Sequence, residues 1–300
     1  VQIFTPSIRR YDVPDLKLGE GAFWHQGQQA LYFVDIKRPA LFRLDPTTDA
    51  LQEWAMPEPI GSYGLCNDGH RAIVALKGGV SFFDFQTGEL EFIVNPEAGI
   101  TTNRFNDGKV GPDGRFWVGS MDDRAERQAV AGLYRIDHDG SCTRMLGGLT
   151  ISNGLAWSPD GGTMYHSDTV VPSYLQAFDY DLATGGISRQ RVVRRLTNEE
   201  GRPDGAAMDR EGCYWSAGVS AGCVNRISPE GEILARYELP LAAPTMPCFG
   251  GPDYKTLFVT SLQSDRLGHD QPGTVISFAV DVAGTAGSFF GGYTQPPSTT

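Results

Sequence analysis

Three hundred residues, 40% hydrophobic and 11% aromatic, can bury a substantial core, which excludes a disordered chain. A formal net charge of −11 argues against nucleic acid and against a membrane surface as partners. The five cysteines, Cys66, Cys142, Cys213, Cys223 and Cys248, are odd in number and form no C-x-x-C pair, which argues against a disulfide framework or a thiolate zinc site and points to a reducing, cytoplasmic location.

The chain opens on VQIFTPSIRR, which lacks the apolar core and cleavage pattern of a signal peptide. No apolar run approaches the ~18 residues of a membrane-spanning helix. A short β-type stretch lies near Ile3. From there the sequence repeats one phrase, a polar turn followed by an apolar strand. HQGQQALYFVD begins at His25, NDGHRAIVAL at Asn67 and GPDGRFWVGSM at Gly111. SPDGGTMYHSD begins at Ser158, DREGCYWSAG at Asp209 and GPDYKTLFVTS at Gly251. The turn position is held by Gly27, Gly69, Gly114, Gly161, Gly212 and Tyr254, at intervals of 42, 45, 47, 51 and 42 residues. Each phrase leads into a further strand–turn–strand segment, such as ALFRLDPTTDALQEW from Ala40 or GLYRIDHDGSCTRML from Gly132. The 37 glycines and 19 prolines are spread along the chain, as many short strands and tight turns require. No amphipathic helix of useful length is evident.

Six such units of roughly 45 residues predict an all-β, six-bladed β-propeller, a single domain over residues 1–300. An open sandwich would leave the constant phase unexplained. The ring must close, so the strand near Ile3 is expected to join the last blade, whose edge is otherwise exposed.

The phase also nominates a site. Eight residues before Gly114, Gly161 and Gly212 stand Asn106, Asn153 and Asp204. The first turn is one residue shorter, and seven residues before Gly27 stands Glu20. The other two repeats place Gly61 and Met246 there. In a propeller this segment runs nearest the axis, so equivalent positions converge on the central channel. Two carboxylates and two amides in one small volume suit a divalent cation with hard oxygen ligands, and the absence of His and Cys weakens the case for zinc. Asn-Gly and Asp-Gly are also ordinary turn signals. Glu20 is not a favoured turn residue, and it favours the cation reading. Arg104, in TTNRFND, stands at the channel mouth as a donor fork or as half of a salt bridge. Three other motifs are discounted. GVSAG around Ser220 lacks the strand–turn–helix context of a nucleophile elbow. DHDG at Asp137 reads as a hairpin turn, and His166 as a packed strand residue.

LGEG (18–21), NRFNDGKVGPDGRFWVGSM (103–121), ISNGLAWSPDG (151–161), RPDGAAMDREG (202–212) and PCFGGPDYKTLFVTS (247–261) together resemble the gluconolactonase/regucalcin (senescence marker protein) family. The resemblance covers about residues 15 to 265. It implies a divalent metal held by Glu20, Asn153 and Asp204. It further implies hydrolysis of a small-molecule sugar lactone, with Arg104 and Asn106 contacting substrate and Asp204 as general base. Calcium is the expected ion, with Zn2+, Mn2+, Mg2+ or Fe2+ also compatible with an oxygen site. Many members carry a substrate-contacting Glu where this chain has Arg124; Asp122 or Asp123 is the expected substitute, and Asp123 is taken as a substrate contact. Asp107 or a metal-bound hydroxide is the alternative base. The competing reading is a non-catalytic, cation-binding or scaffolding propeller, since fold alone does not decide function.

Overall fold

The computed structural model describes residues 1–170 and 172–291. Its strands form six sheets, the blades of a propeller. Blades 1 to 4 are each built from four consecutive antiparallel strands. Their innermost strands are Gly19–His25, Ile60–Leu65, Asn103–Val110 and Ser152–Trp157. Those of blades 5 and 6 are Pro203–Met208 and Pro244–Gly250. Among the described residues no helix is long and apolar enough to cross a membrane.

The phased turns are the hairpins between the first two strands of each blade. Gly69, Gly114, Gly161 and Gly212 adopt positive φ there, between 71° and 84°. Tyr254 takes the same left-handed geometry at φ 58°. In the first blade a 3-10 turn, Gln26–Gln28, replaces it and ends on Gln29 at φ 47°, which explains the shorter count.

Burial falls from axis to rim. Ile60–Leu65 and Ser152–Trp157 are buried throughout, whereas the outer strands Leu90–Val94 and Gly186–Arg195 are largely exposed. The hydrophobic core therefore lies between blades. Trp117 of blade 3 meets Trp157 and Tyr180 of blade 4, and Trp215 of blade 5 meets Phe249 of blade 6. Trp24 stacks on Phe258, with ring centroids 5.3 Å apart, where blade 1 meets blade 6. Such aromatic contacts add directional packing to simple burial.

The closure of the ring corrects one expectation. Ile3 does not join the last blade. The strand Gln2–Phe4 runs parallel to Ile233–Glu238, with Ile3 opposite Arg236, as a fifth strand of blade 5. The last blade is completed instead by Arg9–Arg10, antiparallel to Val275–Ala279. The N-terminal segment thus spans two blades, because each has an open edge within its reach. After blade 6 the chain returns across the turn end of the ring. Thr285 N donates to Met208 O, Asn67 N to Phe290 O and Gly291 N to Gly114 O. That end of the channel is covered.

Candidate functional site

All six innermost strands lose register with their neighbours at one phase. The shifts fall at Glu20/Phe23, Ile60/Ser62, Phe105/Gly108, Asn153/Ala156, Pro203/Ala206 and Pro244/Pro247. Each is a β-bulge, which re-aims side chains that strict alternation would direct elsewhere. Glu20 and Asn153 flank their bulges, while Asn106, Asp107 and Asp204 lie within theirs. Glycine makes the bulges possible. Gly21 and Gly154 have φ of 62° and 66°, and a Cβ on Gly154 would collide with the Tyr214 hydroxyl.

The side chains form one network, buried except at Asp123. Arg104 donates from Nε to Asp123 Oδ1 at 3.2 Å and from Nη1 to Asn106 Oδ1 at 2.9 Å. Asn106 Nδ2 donates to Asn153 Oδ1, also at 2.9 Å. Asn153 Nδ2 donates to Thr169 Oγ1 at 2.7 Å, and Thr169 in turn donates to Pro203 O beside Asp204. This chain sets the amide orientation of Asn153: its nitrogen is engaged by Thr169, so its oxygen faces Asn106 and the channel. Supporting contacts come from the second strands. Asp168 accepts from the backbone N–H groups of Thr150 and Ile151, just ahead of Ser152, and Asp35 does the same for Lys17 and Leu18, just ahead of Gly19.

The carboxylates are crowded and short of counter-charge. Burial pushes Glu20 well above the usual carboxylate range, and the charges of Asp204 and Asp107 push it further. Burial, then Asp107, raises Asp204 to about 8, with Arg202 and Arg104 pulling it back. Burial also raises Asp107, against the pull of Lys109. Asp107 Oδ2 accepts from Leu155 N at 3.2 Å, whereas its Oδ1 is buried without a partner. Lys109 is pushed down by burial and donates to Ala206 O at 2.6 Å. Two carboxyls raised by burial and by each other's charge, beside a fixed amide oxygen, are a donor set that fits a hard divalent ion. Among the described residues no three His, Cys, Asp or Glu side chains form a ready metal cluster. The set here is two carboxylates and an amide.

The nominated residues Glu20, Arg104, Asn106, Asn153 and Asp204 therefore share one network or one electrostatic field. Asp123 joins it through Arg104. Asp122 does not, because it is fully buried and forks onto Arg124, with 2.7 Å from Arg124 Nη2 to its Oδ2. Asn103 points away from the network and donates to Glu97 at 3.1 Å. His166 is a packed histidine between Ser152 and Gln176, pushed by burial to about 3. Asp137 closes a turn with Gly140, and Ser220 sits in the hairpin between Tyr214–Gly218 and Cys223–Ile227. Lys109 and Thr169 were not foreseen. Lys109 follows Asn106 by three residues in the same phrase, which could have flagged it; Thr169 carries no sequence signal.

Residues 18–263 match a family model described as the SMP-30/Gluconolactonase/LRE-like region. A 6-deoxy-6-sulfogluconolactonase of Pseudomonas putida is 39% identical over 282 residues, covering 92% of this chain and 95% of that one. An L-arabinolactonase of Azospirillum brasilense is 35% identical over 283 residues, 92% of each chain. Among solved structures, a calcium-binding regucalcin from Agrobacterium tumefaciens superposes with a TM-score of 0.89 at 29% identity, covering 97% of this chain and 99% of that one.

Proposed function

Because the chain belongs to the SMP-30/gluconolactonase/LRE-like family, we propose that it is a sugar lactonase whose site is the bulged end of the channel. The observation that carries this reading is the convergence of Glu20, Asn153 and Asp204 beside the Arg104–Asn106 pair. Glu20, Asn153 and Asp204 would hold one divalent cation, with calcium the ion bound by the regucalcin relative. Such a cation, when bound, supplies Lewis-acid polarisation of an ester carbonyl.

The protein's own groups do the rest. Arg104 spends Nε and Nη1 on protein acceptors, leaving Nη2 to donate to a lactone oxygen. Its Asp123 contact fixes the plane of the fork. Asn106 aligns with it through the shared hydrogen bond. This orientation is the entropic part of catalysis. Asp204 takes a proton from the attacking water as the water oxygen bonds to the acyl carbon, and returns it to the ring oxygen as the acyl C–O bond breaks, giving the hydroxy acid. One of its oxygens is enough to act as ligand, leaving the other to act as base.

The test is acid release from glucono-1,5-lactone and an arabinonolactone in weak buffer, with and without chelator, for wild type and Asp204→Asn. Chelation should abolish the enzymatic rate. Asp204→Asn, at saturating cation, should lose about 10²- to 10⁴-fold, the usual worth of a general base. Recovery to near wild type at saturating cation would make Asp204 a ligand only and pass the base role to Asp107, whose Oδ1 is unbonded. If no lactone opens above its spontaneous rate, the scaffolding reading stands instead.

A further inference from the structure

Glu20, Asn153 and Asp204 share a feature besides their phase. The backbone carbonyl immediately before each is held by a side chain from the preceding blade of the ring. Asn106 Nδ2 of blade 3 donates to Ser152 O at 3.0 Å, ahead of Asn153. Thr169 Oγ1, just beyond the blade 4 strand Thr163–Asp168, donates to Pro203 O at 2.7 Å, ahead of Asp204. Thr245 Oγ1 of blade 6 donates to Gly19 O at 2.5 Å, ahead of Glu20. The other innermost strands differ. In blade 3 the equivalent Phe105 O accepts at 2.9 Å from Arg104 of its own strand. In blades 2 and 6, whose phase residues Gly61 and Met246 bear no side-chain oxygen, no side chain among the described residues donates to the equivalent Ile60 O or Thr245 O.

Both threonines are buried, and each spends its one proton on the carbonyl. Each is also oriented from behind. Thr169 Oγ1 accepts from Asn153 Nδ2 at 2.7 Å. Thr245 Oγ1 lies 2.9 Å from Thr260 Oγ1, which is the donor there because the Thr245 proton is already given. Gly19 permits the approach of blade 1 to blade 6, since a Cβ on it would lie 2.9 Å from Ser261 O. A side chain is aimed by the peptide unit that leads into it, because rotation of that unit swings the Cα–Cβ bond. Tying the carbonyl of that unit to the next blade removes the rotation before any ligand arrives, and a preorganised donor loses less on binding than one that must be ordered.

Resting on the assignment of Glu20, Asn153 and Asp204 as cation ligands, we propose that Thr169 and Thr245 are positioning residues for the cation. They act as clamps between blades that set the directions of Asp204 and Glu20, and Thr169 orients the Asn153 amide as well. Blade 6 thereby serves the site although it supplies no ligand.

The experiment measures, by titration calorimetry, the affinity of chelator-stripped protein for calcium, or for whichever of Zn2+, Mn2+ and Mg2+ it binds more tightly, together with Tm in chelator. Wild type is compared with Thr169→Val, Thr245→Val, Thr169→Ser, Thr245→Ser and Ser173→Ala. Valine keeps the shape and removes the hydroxyl. Ser173 is the control: it is buried and its Oγ donates to Leu196 O at 2.7 Å, but that carbonyl precedes no ligand. Thr169→Val, Thr245→Val and Ser173→Ala should each lower Tm slightly. Thr245→Val should bind the cation about tenfold more weakly, the usual weight of a contact that supports a metal ligand. Thr169→Val should lose more, because it releases two ligands. Ser173→Ala should bind as wild type does. The serine variants keep the donor and should stay close to wild type; being milder, they carry the test where a valine variant does not fold. Unchanged affinity in the valine variants, an equal loss in Ser173→Ala, or a loss in the serine variants as large as that expected for valine would overturn the proposal and leave the cation site standing. If wild type binds none of the four cations, the site and its clamps fall together.

Discussion

Asp204 is the residue at which protonation, stability and the proposed cation site meet. In an unfolded chain its carboxyl is ionised above about pH 4. In the folded protein without cation it keeps its proton up to about 8. Between those values the folded state binds the extra proton, so its stability falls as pH rises. Glu20 and Asp107 are raised as well and act in the same direction. Buried His166 acts in the opposite direction at lower pH, because its ring stays neutral to about 3 while an unfolded histidine protonates below about 6.5. The window from pH 6.5 to 8 lies above the range in which His166 acts and within that of Asp204. Over it, the Tm of chelated protein should fall, and saturating calcium should raise Tm more at pH 8 than at pH 6.5. Asp204→Asn should flatten both dependences; a calcium-induced shift that ignores pH would remove Asp204 from the ligand set. At this scale Glu20, Asn153 and Asp204 were legible because they recur at one phase. Lys109 and Thr169 were not, since each acts through partners on another blade, Ala206 for one and Pro203 for the other, and neither recurs at its phase in other blades.

The bulge is the element that gives the phase its meaning. Sequence spacing places four oxygen-bearing residues at equivalent points, but alternation alone would send Asn106 and Asp107 to opposite faces. The added residue in each innermost strand turns both toward the channel region. Gly154 tests this. An alanine there meets strain at φ 66° and a collision with Tyr214, whose hydroxyl also donates to Gly154 O at 2.8 Å. Gly154→Ala should cost at least about 2 kcal/mol in denaturant unfolding. Gly212→Ala is the matched control: φ is 84°, but a Cβ there touches nothing within 4 Å, so only the backbone term remains, about 1 kcal/mol. Equal losses at the two positions would mean that the innermost strands do not approach as closely as the bulge requires. Glycine marks the left-handed turn residue in four blades; in the first blade it is Gln29 rather than Gly27, and Tyr254 could be read only through its neighbours' spacing, because its left-handed backbone is uncommon for a tyrosine.

Across the whole molecule, the N-terminal segment does what its composition does not announce. An edge argument demands that something close blade 6, yet Gln2–Phe4 and Arg9–Arg10 are three and two residues long, too short for pattern to assign them to a blade. Removing residues 1–10 would expose Val275–Ala279 and Ile233–Glu238 as edges. The truncated protein should melt several degrees lower and associate, as read by light scattering, because open strand edges template pairing; an unchanged Tm with a monodisperse species would show that the closure is dispensable. The same closure orders events in time. The hydrogen bond between Tyr11 and Ser277 joins residues 266 apart in sequence, and the pocket draws Glu20 from the first blade and Asp204 from the fifth. On a ribosome the first blade emerges long before the partners of its neighbouring strands exist. Contacts of such range form slowly and late. A nascent chain therefore cannot bring Glu20 and Asp204 together, nor complete the proposed cation site, until nearly all of it has been translated and the ring shuts.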